Sequence, residues 1–405
     1  MKKLLSTMLI MAMLSTSGCA QNSAIQQSES TAQSENPEMQ QSETDVQNEE
    51  VDSTVSEEDV IEKDTGSLSA DEAGKKVTLA ELMGKDDVSD EFKDVQERLN
   101  RNESVSNDEV LALPEFQWVE QHRTAGTSVD WDMFDEIRED GAGTITPESV
   151  KRMLPESIAD RVMKVKSLLD EQGSAVFDSD GNVTYTGEVK QGKRLDLLIG
   201  LPASGKSTIA EHLSNKYGSL LGDSDVAKEL TLKEMGRTGL IDEDYVHTEC
   251  KLSNDMRLAE AAARGDNVVF SMIGNISKSL YERIAPFADN GYEIHVHYTD
   301  LPQNKALGRM LGRMAETSRT LDYVSVTELK PEDINDTFEK LKGDADIEET
   351  IRWNTDVAKG EYPIPVEYSG EDPSQLFSGR ESGVENNLET GRQIDGNGSE
   401  GGRDN

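Results

Sequence analysis

The stretch Leu195-Asp196-Leu197-Leu198-Ile199-Gly200-Leu201-Pro202-Ala203-Ser204-Gly205-Lys206-Ser207-Thr208 constrains this chain more than any other. An apolar run leads into G-x-x-x-x-G-K-[ST], and Ile209, Leu213 and Tyr217 then repeat at helical spacing. A strand feeding such a loop and a helix makes a cradle where backbone N–H groups and the helix dipole converge on phosphate oxygens. The expected phosphate-binding residues are Gly200, Ala203, Ser204, Gly205, Lys206, Ser207 and Thr208. Lys206 is expected to reach the outer phosphates and the Ser207 hydroxyl to hold Mg²⁺. The cofactors so predicted are ATP or GTP with Mg²⁺. Ala203 stands where many such loops carry Gly, which suits an L-residue whose φ is negative.

The pattern around this motif is α/β. Ser219 to Gly222 is a short apolar step, and Val268-Val269-Phe270 is a continuous one, as in buried parallel strands. Tyr292, Ile294, Val296 and Tyr298 alternate with Glu293, His295 and His297, which predicts a half-buried strand with the two histidines on a solvent-facing edge rather than on a metal. Helices are predicted from about Asp244 to Arg264, from Ser277 to Asn290 and from Pro302 to Thr317. The fold class expected is a P-loop NTPase-type parallel sheet with flanking helices, its ligands at the C-terminal strand ends. A hairpin is expected at residues 175–186. Residues 78–170 read as a helical region carrying no chemistry, a packing subdomain in preference to a cover for the cleft.

The two ends read differently. Lys2 and Lys3, the apolar run Leu4 to Leu14 and Ser15-Thr16-Ser17-Gly18-Cys19 resemble a bacterial lipoprotein signal, with Cys19 lipidated after cleavage. The expected location is therefore the outer face of a bacterial cell membrane, held by a lipid anchor. Residues 20–77, rich in Ser, Gln, Glu and Asp, read as a disordered acidic tether, and 369–405 as a disordered tail. The net charge is −39 over 405 residues, yet Arg194 to Ala345 holds 18 basic and 25 acidic residues, so the acidic excess lies mainly in these ends. No basic stripe is present to meet a phosphate backbone, which excludes a nucleic-acid partner. Cys250, in a helical pattern, is a packing residue.

Phosphoryl transfer needs a phosphate cradle, a metal, an orienter for the attacking hydroxyl and positive charge on the moving group. Gly200 to Ser207 supplies the first. Ser207 is the metal ligand, aided by Asp223. Asp225, just past the second strand, is the expected orienter or base, although Asp-Ser-Asp before a helix is also an ordinary N-cap. Arg309 and Arg313, four apart on one helix face, are the expected cations of a lid, with Arg319 beyond them.

In order and spacing these parts resemble the zeta toxin family of P-loop kinases over about Arg194 to Tyr368. The resemblance rests on Gly200 to Ser207, Gly222-Asp-Ser-Asp-Val226, Ala-Ala-Ala-Arg-Gly265, Asn-Val-Val-Phe-Ser271, Leu307-Gly-Arg-Met-Leu-Gly-Arg313 and Ile351-Arg352-Trp353-Asn354. It implies transfer of the γ-phosphate of ATP to a hydroxyl of a small molecule, UDP-N-acetylglucosamine in that family, with Asp225 as base, Lys206 on the phosphates and a lid arginine on the transferring group. It also implies an antitoxin partner. Where the family carries an acidic residue after the third strand, this chain has Ser271-Met272-Ile273-Gly274-Asn275, which leaves Ser271 or Asn275 to bind a different acceptor. The alternative expectation is a catalytically silent nucleotide-binding module working by interaction at the cell surface.

Overall fold

The computed structural model describes residues 77–377, apart from 125–130, 180, 238, 240 and 321–322. Cys19, the expected signal, the tether to residue 76 and residues 378–405 lie outside the described residues.

Helices come first: α1 (Leu79–Leu82), α2 (Asp90–Asn100), α3 (Asn107–Leu111), α4 (Pro114–His122), α5 (Trp131–Asp140), α6 (Pro147–Met153) and α7 (Glu156–Asp170). The hairpin β1 (Ser174–Phe177) and β2 (Val183–Gly187) follows. Strand and helix then alternate through β3 (Arg194–Gly200), α8 (Lys206–Tyr217), β4 (Leu220–Gly222) and α9 (Ser224–Glu234). A 3₁₀ turn, Glu243–Val246, precedes α10 (His247–Arg264), β5 (Val268–Met272), α11 (Ser277–Asp289), β6 (Glu293–Asp300) and α12 (Gln303–Thr317). Last come α13 (Tyr323–Glu328), α14 (Pro331–Leu341), β7 (Glu349–Asn354), β8 (Ile364–Tyr368) and a 3₁₀ turn, Pro373–Phe377.

The strands form one sheet in the order β2-β1-β4-β5-β3-β6-β7-β8. Its middle, β4-β5-β3-β6-β7, is parallel, and β1, β2 and β8 add antiparallel edges. Crossover helices cover both faces. Ile284, Phe287, Ile334 and Phe338 of α11 and α14 pack on one side with Leu195, Leu197 and Ile199, and Ile209 and Leu213 of α8 pack on the other with Leu198 and Trp353. A strand buried on both faces needs an unbroken apolar run, which is why β3 reads as one.

Asp196 interrupts that run. It is fully buried, and Arg194 grips its two oxygens at 2.8 and 2.6 Å. Burial raises the Asp196 pKa, but the hydrogen bonds from His297 and Arg194 outweigh it, and the carboxyl stays below its usual range. Trp353 Nε1 donates to His297 Nδ1 at 3.2 Å, so His297 carries its proton on Nε2 and donates to Asp196 Oδ1 at 3.1 Å. Arg194 Nη1 donates to His295 Nε2 at 3.0 Å, which leaves Nδ1–H of His295 to donate to Glu349 at 3.0 Å. The expectation of solvent-facing histidines on a half-buried strand is thereby corrected. Both are buried, because β6 lies between β3 and β7 and their polar atoms are satisfied within the sheet.

A second correction concerns the tail. Phe377 is buried against Trp353, His212 and Tyr362, so the ordered packing extends past residue 369.

The N-terminal helices join the α/β layers at two places. Phe92, Val95 and Leu99 of α2 share a buried cluster with Leu307, Met310, Leu311 and Met314 of α12. The contact is close: a Cβ on Gly308 would lie 3.0 Å from the Asn100 backbone nitrogen, and one on Gly312 would lie 2.7 Å from Gln96 Nε2. Phe134, Ile137, Val150 and Val162 of α5 to α7 pack with Leu252 and Met256 of α10.

Trp353→Phe keeps an aromatic ring, though a smaller one, and removes the donor to His297, leaving a buried nitrogen unpaired. It is expected to cost about 1–3 kcal/mol in urea unfolding. A midpoint equal to the parent's would show that Trp353 Nε1 does not hold His297.

Candidate active site

The loop at the end of β3 is shaped by three unusual residues. Gly200 has φ 153°, and a Cβ there would lie 2.0 Å from Thr299 Oγ1, so only glycine fits. Gly205 caps α8 with φ 88°. Ala203 has φ 57°, so the condition under which alanine suits this position, a negative φ, is not met. Ser204 N–H donates to the Leu201 carbonyl at 3.2 Å, closing a turn in which Ala203 takes the positive φ usually left to glycine, and that strain is retained for the shape of an anion-binding loop. Ser204 is buried and shares a 2.6 Å hydrogen bond with Thr299 Oγ1, pinning the loop to β6. No side chain caps α8, so its first N–H groups stay available to a ligand.

Lys206 Nζ donates to the carbonyls of Gly200 at 2.8 Å and Leu201 at 2.7 Å. Partial burial pushes its pKa down to about 8, against the opposing pull of Asp225 and Asp223. The ammonium is held by its own loop and must turn outward to meet phosphate.

A cleft of about 960 Å³ opens over this loop at the C-terminal strand ends. Residues 202–208 form its floor. One side carries Asp223, Asp225, Lys228, His247 and Ser271, and the other carries Arg309, Arg313 and residues 355–361. Of the sequence-predicted residues, Ala203 to Thr208, Asp223, Asp225, Ser271, Arg309 and Arg313 line this cleft, whereas Gly200 and Arg319 do not.

Their roles differ in detail. Asp223 is the N-cap of α9, its Oδ1 accepting from the Asp225 backbone N–H at 2.8 Å. This frees the Asp225 carboxylate to face the cleft, where Arg319 Nη2 lies 2.6 Å and Lys228 Nζ 3.6 Å from its Oδ1. Burial raises the Asp225 pKa, but Arg319, Lys228, Arg313 and Lys206 outweigh it and hold the group at about 2. Asp223 goes the other way, raised by burial and by the neighbouring Asp225 charge. Asp225 is therefore ionised at neutral pH, a hydrogen-bond acceptor more than a strong base.

Arg309 lines the cleft but gives Nη2 to the carbonyls of Thr355 at 2.7 Å and Val357 at 3.1 Å. Lys305 pairs with Asp356 at 2.7 Å beside it, so α12 is strapped to the loop after β7. Arg313 has no hydrogen-bond or ion-pair partner among the described residues, and burial followed by Arg319 lowers its pKa. Of the two arginines that line the cleft from α12, its guanidinium is the uncommitted one. Arg319 lies behind the wall, bound to Asp225 and Glu243.

Ser271 lines the cleft with its Oγ buried and unpartnered, while Asn275 does not line it. Among the described residues no group of three His, Cys, Asp or Glu side chains could hold a metal. Mg²⁺ needs no such cage, since one or two protein oxygens beside phosphates suffice, and Ser207 and Asp223 both line the cleft.

Sequence reasoning missed Glu243, Lys228, Gln96, Asn100 and the loop 355–361. Lys228 is three residues beyond Asp225 on one helix, a spacing that places it on the same face. Gln96 and Asn100, four apart on α2, also line the cleft. Nothing local in the sequence relates them to a loop a hundred residues away.

Residues 195–341, less than half of the chain, match the family model described as an AAA domain. No curated protein matches the chain. Among solved structures, one of the PezAT chromosomal toxin-antitoxin system of Streptococcus pneumoniae is similar at 16% identity and TM-score 0.35, covering 57% of this chain and 91% of its own. The AvrRxo1-ORF1:AvrRxo1-ORF2 structure with sulphate ions is similar at 18% identity and TM-score 0.38, covering 61% of this chain and 76% of its own. The same complex with ATP is similar at 17% identity and TM-score 0.38, covering 60% and 74%. Likeness at this level speaks to neither activity nor substrate. The α/β sheet with its phosphate loop is of P-loop NTPase type.

Proposed function

We propose that this protein is a phosphotransferase, moving the γ-phosphoryl group of ATP or GTP onto a hydroxyl of a small molecule. The observation that carries the reading is the meeting of the loop 202–208, Asp225 and an uncommitted Arg313 around one cleft.

The chemistry follows from those side chains. The loop N–H groups and Lys206, turned away from its two carbonyls, hold the β- and γ-phosphates. Ser207 and Asp223 would hold Mg²⁺, which supplies charge neutralisation between the phosphates when bound. Asp225 accepts a hydrogen bond from the acceptor hydroxyl and aims its oxygen at phosphorus. A bond forms from that oxygen to phosphorus, the bond to the bridging oxygen breaks, and ADP or GDP leaves. The hydroxyl proton passes to Asp225 late, as suits a weak base and a loose transition state. Arg313 meets the charge on the moving group.

The sequence resemblance makes UDP-N-acetylglucosamine the first acceptor to assay. Ser271 in place of a carboxylate directs the search to other hydroxyl compounds if that one fails. An antitoxin partner rests on the same resemblance. Lipidation at Cys19 would put the domain outside the membrane. Cys19→Ala is then expected to move the protein from the membrane fraction to the soluble one, and an unchanged partition would remove the anchor from the account.

Lys206→Ala is expected to weaken Mg·ATP binding about 10- to 100-fold in calorimetry, the worth of one charge-assisted contact. In the parent, affinity is expected to fall as pH rises past 8, because Lys206 is charged below its pKa of about 8 and neutral above it. A dissociation constant that is flat from pH 7 to 9.5 would take Lys206 off the phosphates. Asp225→Asn is expected to leave that constant within about threefold while phosphoryl transfer drops about 10²- to 10⁴-fold. Nucleotide binding with no acceptor found, and no effect of Asp225→Asn, would favour a silent binding module instead.

A further inference from the structure

Glu243 reaches the cleft through other side chains. It opens the 3₁₀ turn Glu243–Val246, its side chain is 1% exposed, and it does not line the cleft. Its carboxylate spans two cations. Oε1 is 2.8 Å from Nε of Arg319, and Oε2 is 3.5 Å from Nζ of Lys228. The same two cations hold Asp225 from the other side, at 2.6 and 3.6 Å.

The four groups form a closed ring of alternating charge. The Arg319 and Lys228 side chains are 8% and 7% exposed, whereas Asp225, at 38%, is the corner that opens to the ligand. Burying a cation costs several kcal/mol unless an anion meets it. Two buried cations against Asp225 alone would leave one positive charge in excess, and ionised Glu243 supplies the balance; burial pushes its pKa up to about 7 against the pull of Arg319 and Lys228, so the charge is full only above neutral pH. Arg313 from α12, Lys206 from α8 and Asp223, the N-cap of α9, act on the same cluster.

Resting on the phosphotransfer reading above, we propose that Glu243 is a positioning residue. It anchors Arg319 and Lys228 from behind, so that Asp225 is held at the cleft wall by cations whose charge is half spent elsewhere. Remove that charge, and Arg319 and Lys228 present all of theirs to Asp225 and to the cleft. Asp225 then becomes a poorer acceptor for a substrate hydroxyl, and the site becomes more attractive to a polyphosphate. Glu243 therefore separates binding from turnover, which a residue that merely stabilises the fold does not.

The test uses the full chain as parent, Glu243→Gln and Glu243→Asp. Mg·ATP affinity is measured by calorimetry, and phosphoryl transfer is measured to the acceptor, or to water where none is known. Glu243→Gln is expected to bind Mg·ATP about threefold more tightly and to transfer about tenfold more slowly. Glu243→Asp, which keeps the charge, is expected to bind like the parent and to recover most of the transfer rate. Unchanged binding and transfer in Glu243→Gln would overturn the proposal, as would weaker binding with a proportionate loss of rate. Should Glu243→Gln fail to fold, Glu243→Asp decides: parent-like binding with a rate within about threefold upholds the proposal, and loss of both overturns it. A parent that binds Mg·ATP but transfers nothing sinks the phosphotransfer reading alone, and charge sharing is then judged on whether Glu243→Gln tightens binding. A parent that binds no nucleotide ends both.

Discussion

A negative charge at the centre of the sheet holds the rest in place. Asp196 sits in the strand that delivers the phosphate loop, and its oxygens are taken up by Arg194 of the same strand and His297 of the next. His297 is held in turn by Trp353 of β7, and His295 by Arg194 and Glu349. A one-residue slip of β6 against β3 would leave an unpaired charge in the interior, at a cost of several kcal/mol. The network thereby fixes the register of three parallel strands, and the segments that follow β3 and β7 line the cleft.

On that floor, attachment is made by a few polar contacts. Ser204 ties the loop to Thr299 on β6, and the Gly200 N–H donates to the carbonyl of Ile273 after β5. The loop is thus sutured to the strands on both sides of its own. The opposite wall is less rigidly built. Arg309 and Lys305 bind the segment after β7 through carbonyls and one exposed carboxylate. Such contacts are individually weak and can be exchanged for a ligand's.

The phosphate loop, the parallel strands and the Arg-bearing helix were legible in the sequence, because each has its own local signature: a glycine spacing, an apolar run, a helical repeat. His295 and His297 were misread because alternation predicts a wet face, and it cannot see that Asp196, a hundred residues earlier, offers a partner inside. The positive φ at Ala203 was not legible because residue type does not report backbone sign; the loop takes a left-handed residue there although it is not glycine. Glu243 was invisible for a related reason. Its meaning lies in sharing Arg319 and Lys228 with Asp225, and those three come from separate stretches of chain.

The glycine pair on α12 reaches beyond packing. Because Gly308 and Gly312 let α2 lie against that helix, Phe92, Val95 and Leu99 cover Leu307, Met310, Leu311 and Met314. The boundary of the packed unit is therefore not the boundary of the recognisable motif. A fragment trimmed to residues 195–341 would lay open a stripe of large apolar side chains on the helix that carries Arg309 and Arg313, and would lose β7 and Trp353 from the sheet. Helix α2 thus covers the Arg-bearing helix from outside the motif, and Ala203 of the loop packs against the same cluster.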